Sequence, residues 1–187
     1  MTFSVGDKVV HPGIGAGRIT GTKDQGLVAG FEHYYVIDIP SRSSTIYVPM
    51  RTADELGMRP AMSRGKIARV LHTLTSKPHP LPKTHGERQE ELEEKLGTDQ
   101  PIMVAEVVRD LAWYERATPL NSKDKELLAR GRSLLAGEIA LVTEANVDDV
   151  NELISEKLAA GMSGNAKRTQ PAKKSAASGR PSAVRRK

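Results

Sequence analysis

The spacing of apolar residues changes once along the chain, near residue 60, and the elements divide at that point. Between Val5 and Ile19 the chain passes from Asp7-Lys8 through Val9-Val10 to His11, breaks at Pro12-Gly13, and resumes with small residues before Arg18 and Ile19. This pattern predicts two short strands joined by a tight turn. Pro12 removes a ladder donor, and Gly13 and Gly15 tolerate positive φ, so the chain can bend sharply here. β-branched and aromatic residues then dominate Ala16 to Thr22, His33 to Ile39 and Ser44 to Pro49, with a loop expected at Gly26 and Gly30. Four or five short antiparallel strands in about fifty residues predict a small, strongly bent barrel. Arg51 to Leu56 reads as a single helical turn closed by Gly57.

After Pro60 the apolar residues recur at helical spacing. Ser63 is placed to cap a helix carrying Ile67, Val70, Leu71 and Leu74. Lys77-Pro78-His79-Pro80-Leu81-Pro82 then forbids helix, and a second helix is expected from about Gly86 to Leu96. Thr98 or Asp99 should cap a third, with Pro101 in its first turn, where the missing N–H costs nothing. That helix presents Ile102, Val104, Val107, Val108 and Leu111. Ser122 and Asn146 should cap a fourth and a fifth, and five helices with short connections predict a bundle. Beyond Met162 almost no bulky apolar side chain remains, so burial cannot offset the ordering entropy and a disordered basic tail is expected. The fold class is therefore α+β in three parts: a small barrel over 1–58, a helical domain over 62–162 and a tail over 163–187.

Charge sharpens this division. Residues 164–187 carry eight basic residues and no acid, leaving 20 basic against 23 acidic residues, a net charge of −3, in the remainder. The basicity belongs to the tail, so nucleic-acid binding by the folded part must rest on particular positions. The chain has no cysteine, which excludes disulfides and thiolate chemistry. Its histidines, at 11, 33, 72, 79 and 85, lack ligand spacing, and nothing pairs a nucleophile with a base. Neither an enzyme nor a metal or other cofactor is expected. Gly13-Ile14-Gly15-Ala16-Gly17 lacks the lysine and following helix of a phosphate loop and reads as a turn. No apolar run is long enough to span a bilayer, and the first residues lack a basic start and apolar core, so a cytoplasmic protein without membrane contact is expected; a monomer is expected as well.

Phe3-x-Val5-Gly6-Asp7-x-Val9-Val10-x-Pro12-x-x-Gly15, Ala105-Glu106-Val107-Val108-Arg109-Asp110-Leu111 and Gly137-Glu138-Ile139-Ala140 together resemble the CarD family of bacterial transcription regulators. The resemblance covers roughly residues 1–160. It implies a Tudor-like domain that binds the β subunit of RNA polymerase, similar to the polymerase-binding module of the transcription-repair coupling factor. It also implies a helical domain that touches promoter DNA, largely without sequence specificity, at the upstream edge of the melted bubble.

On this resemblance the polymerase contact falls on the strand edge Thr45, Ile46, Tyr47, Val48 and Pro49. Tyr47 stands where better-known members have arginine, and Gln25 occupies a position that can be basic. Pairing through main-chain groups survives such changes, whereas the assistance from charge does not. His85 occupies the place of a tryptophan wedge, and Arg88 keeps basic character beside it. Glu87, Glu90, Glu91, Glu93 and Glu94 follow and repel phosphate, unless they are simply a solvated face. Lys125, Arg130 and Arg132 match basic family positions, leaving a reduced DNA-facing patch. Lys167, Arg168, Lys173, Lys174, Arg185, Arg186 and Lys187 of the tail suit nonspecific contact with phosphate. The plainer reading of His85 is a solvated residue at a helix start, and that of Trp113 is a partly buried packing residue rather than a substitute wedge. Two functions result: a regulator bridging polymerase and promoter DNA, or a polymerase- or protein-binding module with weak or no wedge-type DNA contact.

Overall fold

A computed structural model of the chain describes residues 2–28 and 30–168, and the side chains of all of these except 25–28, 31 and 165–168. Five antiparallel strands come first: β1 (Lys8–His11), β2 (Gly15–Val28), β3 (Phe31–Ile39), β4 (Ser44–Pro49) and β5 (Arg59–Pro60). β2 continues as strand through the position expected to be a loop at Gly26. Its pairing with β3 shifts register between Ile19 and Gly21 and again between Asp24 and Val28, irregularities that bend and twist a strand pair.

The spatial order is β4-β3-β2-β1-β5, so β4 and β5 are edges and do not pair. The expected barrel is therefore an open sheet. Closure fails at β5, which has two residues and ends in Pro60, a residue with no N–H to extend the ladder. β5 also moves the boundary of the first part, because Arg59 and Pro60 pair with Val10 and Val9 and belong to the sheet. One face buries Phe3, Val9, Ile19, Tyr35, Ile37, Ile39, Val48, Ala53 and Met58. Phe3 meets Tyr35 edge to face, ring centroids 5.8 Å apart, and its N–H donates to the Tyr35 hydroxyl at 3.0 Å.

The five expected helices follow: α1 (Arg64–Thr75), α2 (His85–Gly97), α3 (Pro101–Ala117), α4 (Ser122–Thr143) and α5 (Val147–Arg168). Two starts lie one or two residues from their expected caps. α3 begins behind Gln100, with Pro101 as its first residue, and α4 is capped by Asn121, whose side-chain oxygen accepts from the Asp124 N–H at 2.8 Å. Asn146 does precede α5, and its side chain accepts from the Asp148 N–H at 2.8 Å. α3 and α4 approach closely where Gly131 lacks a side chain; a Cβ there would lie 2.9 Å from Val108 Cγ2. α5 runs six residues past Met162, so the first part of the expected tail, 163–168, is helical. Lys173, Lys174, Arg185, Arg186 and Lys187 lie outside the described residues, as do the side chains of Lys167 and Arg168. No helix among the described residues is long and apolar enough to cross a membrane.

The sheet and the bundle are docked through α4. Glu138 accepts from Arg59 Nη1 at 2.7 Å, from Arg59 Nη2 at 2.8 Å and from the Met62 N–H at 2.7 Å. This carboxylate clamps the end of the sheet to the bundle at the point where one becomes the other. At the C-terminal end of α4, Glu144 pairs with Lys8 Nζ at 3.1 Å and lies 3.8 Å from Arg18 Nη2. The hydrogen bond from Lys8 and the two cations hold the Glu144 carboxyl below its usual range.

Candidate functional site

β4 is bonded on one side only. Its residues pair with β3, from Ser44 opposite Ile39 to Pro49 opposite Tyr34, and among the described residues no strand lies on the other side of its backbone. Val48 turns into the sheet core, Ile46 packs against it, and Thr45 and Tyr47 are exposed, Tyr47 by 45%. An unpaired edge of this kind is a template for an incoming strand. The edge also carries a charge that its own sequence lacks. Lys23 of β2 places its Nζ 5.0 Å from the centre of the Tyr47 ring, within cation–π range. The side chain of Gln25 lies outside the described residues.

On the helical side the structure separates the residues that sequence had grouped. Arg88 is 1% exposed and cannot reach a phosphate. Its guanidinium donates to Asp124 Oδ2 at 2.6 and 3.2 Å and to the Pro82 carbonyl at 3.1 Å, and it lies 5.1 Å from the centre of the Tyr114 ring. Arginine binds carboxylates in a planar fork, and here that fork is used inside the protein. The remaining reach of Arg88 goes to His85, whose Nδ1 lies 2.7 Å from Arg88 Nη2 and 3.1 Å from Asn121 Nδ2. His85 as a residue is exposed.

His85 thus sits against Asn121, at the start of α4. At about 100° per residue, Asn121, Lys125 and Arg132 fall within roughly 40° of one another around that helix. Lys125 is exposed and Arg132 is partly exposed, bonded to Ser155 Oγ of α5. Arg130 lies on a different side, where it donates to the Pro12 carbonyl at 3.4 Å. The fold therefore lines up His85, Lys125 and Arg132 along one stripe and sets Arg130 apart.

The acids of α2 are partly neutralised. Glu93 pairs with Lys123 at 2.9 Å and Glu91 with Lys95 at 2.7 Å, while Glu87 bonds to the Thr84 hydroxyl. The hydrogen bond and charge of Lys123 hold the Glu93 carboxyl below its usual range. Trp113 is half-buried on α3, with its Nε1 enclosed and lacking a hydrogen-bond partner, which suits packing better than insertion into DNA.

A second buried arginine explains the Ala105–Leu111 run. Arg109 donates to the neighbouring Asp110 Oδ1 at 2.7 Å and to Ser76 Oγ at 2.8 Å, and its Nη2 lies 3.1 Å from His79 Nδ1. Asp110 Oδ1 also accepts the His79 N–H at 3.0 Å. Arg109 and Arg88 hold opposite ends of the proline-rich strap between α1 and α2, leaving Lys77 and Lys83 exposed on it. Among the described residues no group of three or more His, Cys, Asp or Glu is placed to hold a metal ion.

Comparison with known proteins follows the same division of the chain. The family model described as CarD-like/TRCF RID domain matches residues 3–62, and that described as CarD, C-terminal domain, matches residues 69–155. A Bacillus subtilis (strain 168) protein named "Putative transcription factor YdeB" is 25% identical over 149 residues, covering 75% of this chain and 92% of its own length. The two family matches fall in order on the open sheet and the helical bundle, and the chain belongs to the CarD family of transcription regulators.

Proposed function

We propose that β4 pairs with a strand of the RNA polymerase β subunit while the stripe of His85, Lys125 and Arg132 lies against promoter DNA at the upstream edge of the melted bubble, changing the lifetime of the open complex. The observation that carries this reading is the free β4 edge in a domain matching the CarD-like/TRCF RID family. Lys23 over Tyr47 supports an acidic strand as the incoming partner. Tyr47→Pro should abolish capture of the β subunit in a pull-down while the far-ultraviolet spectrum stays native, because proline removes a donor and crowds the ladder. Undiminished capture by a folded Tyr47→Pro protein would rule out the edge.

The burial of Arg88 favours a second reading, a polymerase-binding module with weak or no wedge-type DNA contact. Decay of open complexes under heparin challenge separates the two: the first requires a change in lifetime when the protein is added, the second requires none. The tail is assigned a sequence-independent role on phosphate. Deleting residues 164–187 should flatten the log–log salt dependence of duplex binding, by roughly 0.9 for each phosphate that the tail neutralises. A slope unchanged by the deletion would remove the tail from DNA binding.

A further inference from the structure

We propose that His85 presents a single hydrogen-bond donor, its Nε2–H, to an acceptor on DNA, and that Arg88 and Asn121 are positioning residues that fix this tautomer. The proposal rests on the reading that this face meets DNA, and goes beyond it by assigning the proton and the chemistry it recognises.

A neutral imidazole has one N–H and one lone pair, and its neighbours decide which nitrogen carries the hydrogen. Arginine has five donors and no acceptor, so Arg88 Nη2, at 2.7 Å, can only donate to His85 Nδ1. An amide such as that of Asn121 could in general turn either end to the ring. Here its oxygen is engaged by the Asp124 N–H at 2.8 Å as the cap of α4, which leaves the NH2 group facing Nδ1 at 3.1 Å. Two donors therefore converge on Nδ1. That nitrogen supplies the lone pair and the hydrogen resides on Nε2.

Arg88 cannot turn away to relax this arrangement. It is buried, with Asp124 Oδ2, the Pro82 carbonyl and the Tyr114 ring each holding the guanidinium in place. An ordinary exposed histidine exchanges between tautomers, but this one is set from below. His85 is an exposed residue, and its Nε2 has no hydrogen-bond partner among the described residues. A tip that donates and cannot accept suits a phosphate oxygen, or the adenine N3 and thymine O2 acceptors of the minor groove, and is opposed by the N2 amine of guanine.

Long-range proton–nitrogen correlation spectra of the full chain test the first half, with His85 assigned by its loss in His85→Gln. The expected pattern is the Nε2–H tautomer alone; an Nδ1–H or exchange-averaged pattern overturns the proposal. Asn121→Asp keeps the capping oxygen but replaces one of the two donors with an acceptor, and should lower the share of the Nε2–H form while Arg88 still opposes the Nδ1–H form. An unchanged pattern removes Asn121 as a positioning residue. Fluorescence anisotropy on A·T, G·C and inosine·cytosine duplexes tests the second half, since inosine lacks the N2 amine. With a minor-groove acceptor, the native protein favours A·T and inosine·cytosine, and His85→Ala erases that preference. With a phosphate acceptor, His85→Ala weakens all three alike, by roughly 2- to 10-fold, the worth of one net hydrogen bond. Equal binding by native and His85→Ala proteins on every duplex overturns the donor role. An Nε2–H pattern combined with such equal binding locates the failure in the DNA reading, whereas the wrong tautomer with intact DNA dependence on His85 locates it in this inference alone.

Discussion

Asp124→Ala should lower the unfolding free energy by about 3–5 kcal/mol, read as a fall in the urea midpoint at unchanged slope. The side chains of Arg88 and Asp124 are 1% and 0% exposed, so removing the carboxylate leaves a guanidinium charge enclosed without its counter-charge. The loss measures that stranded charge rather than the strength of the pair. The double replacement Arg88→Met with Asp124→Leu should consequently recover most of the stability, because apolar residues of similar volume can substitute for a buried pair. A loss below about 1 kcal/mol on Asp124→Ala, the range of solvated pairs, would mean that water reaches Arg88.

Glu138→Ala should cost about 2–4 kcal/mol by the same measurement, since it strands Arg59 and leaves the Met62 N–H without its acceptor. The Arg59 side chain is 16% exposed, so water relieves part of the cost there. The effect on function should be divided. The sheet has its own core, so capture of the polymerase β subunit should persist, while any effect on open-complex lifetime should fall as the bundle loses its fixed attachment. Parallel loss of capture and of lifetime effect would show instead that the clamp supports the sheet itself.

The helices and most strands were readable because their residues repeat at a period that burial enforces: Val104, Val107, Val108 and Leu111 are all interior. Caps were less so, because Asn121 and Ser122 are both good capping residues and only backbone geometry chooses Asn121. Sheet closure was not readable, since it turns on β5, whose two residues have no pattern. Arg88 was misplaced for a related reason. A basic residue near a helix start looks solvent-facing until Asp124, 36 residues later, is folded against it. Lys23 gives no sign in the sequence because its approach to Tyr47 exists only once β2, β3 and β4 are in register. The Ala105–Leu111 run was legible as a family signature, yet its work is structural: Arg109 and Asp110 anchor the strap.

An open sheet has two edges, and edges of identical molecules can join one another. At β5 the chain resists this by brevity and by Pro60, so head-to-tail addition of a neighbour's β4 finds almost no ladder to extend. β4 also ends in a proline, Pro49, but Ser44 to Val48 leave five residues of ladder before it. Its protection is Lys23: two copies meeting along β4 would each bring an ammonium group to the shared edge, where like charges oppose pairing, while a strand bearing acids would be drawn in. On the proposed function, the lysine that would draw an acidic strand to this edge would also oppose its pairing with a second copy of the chain.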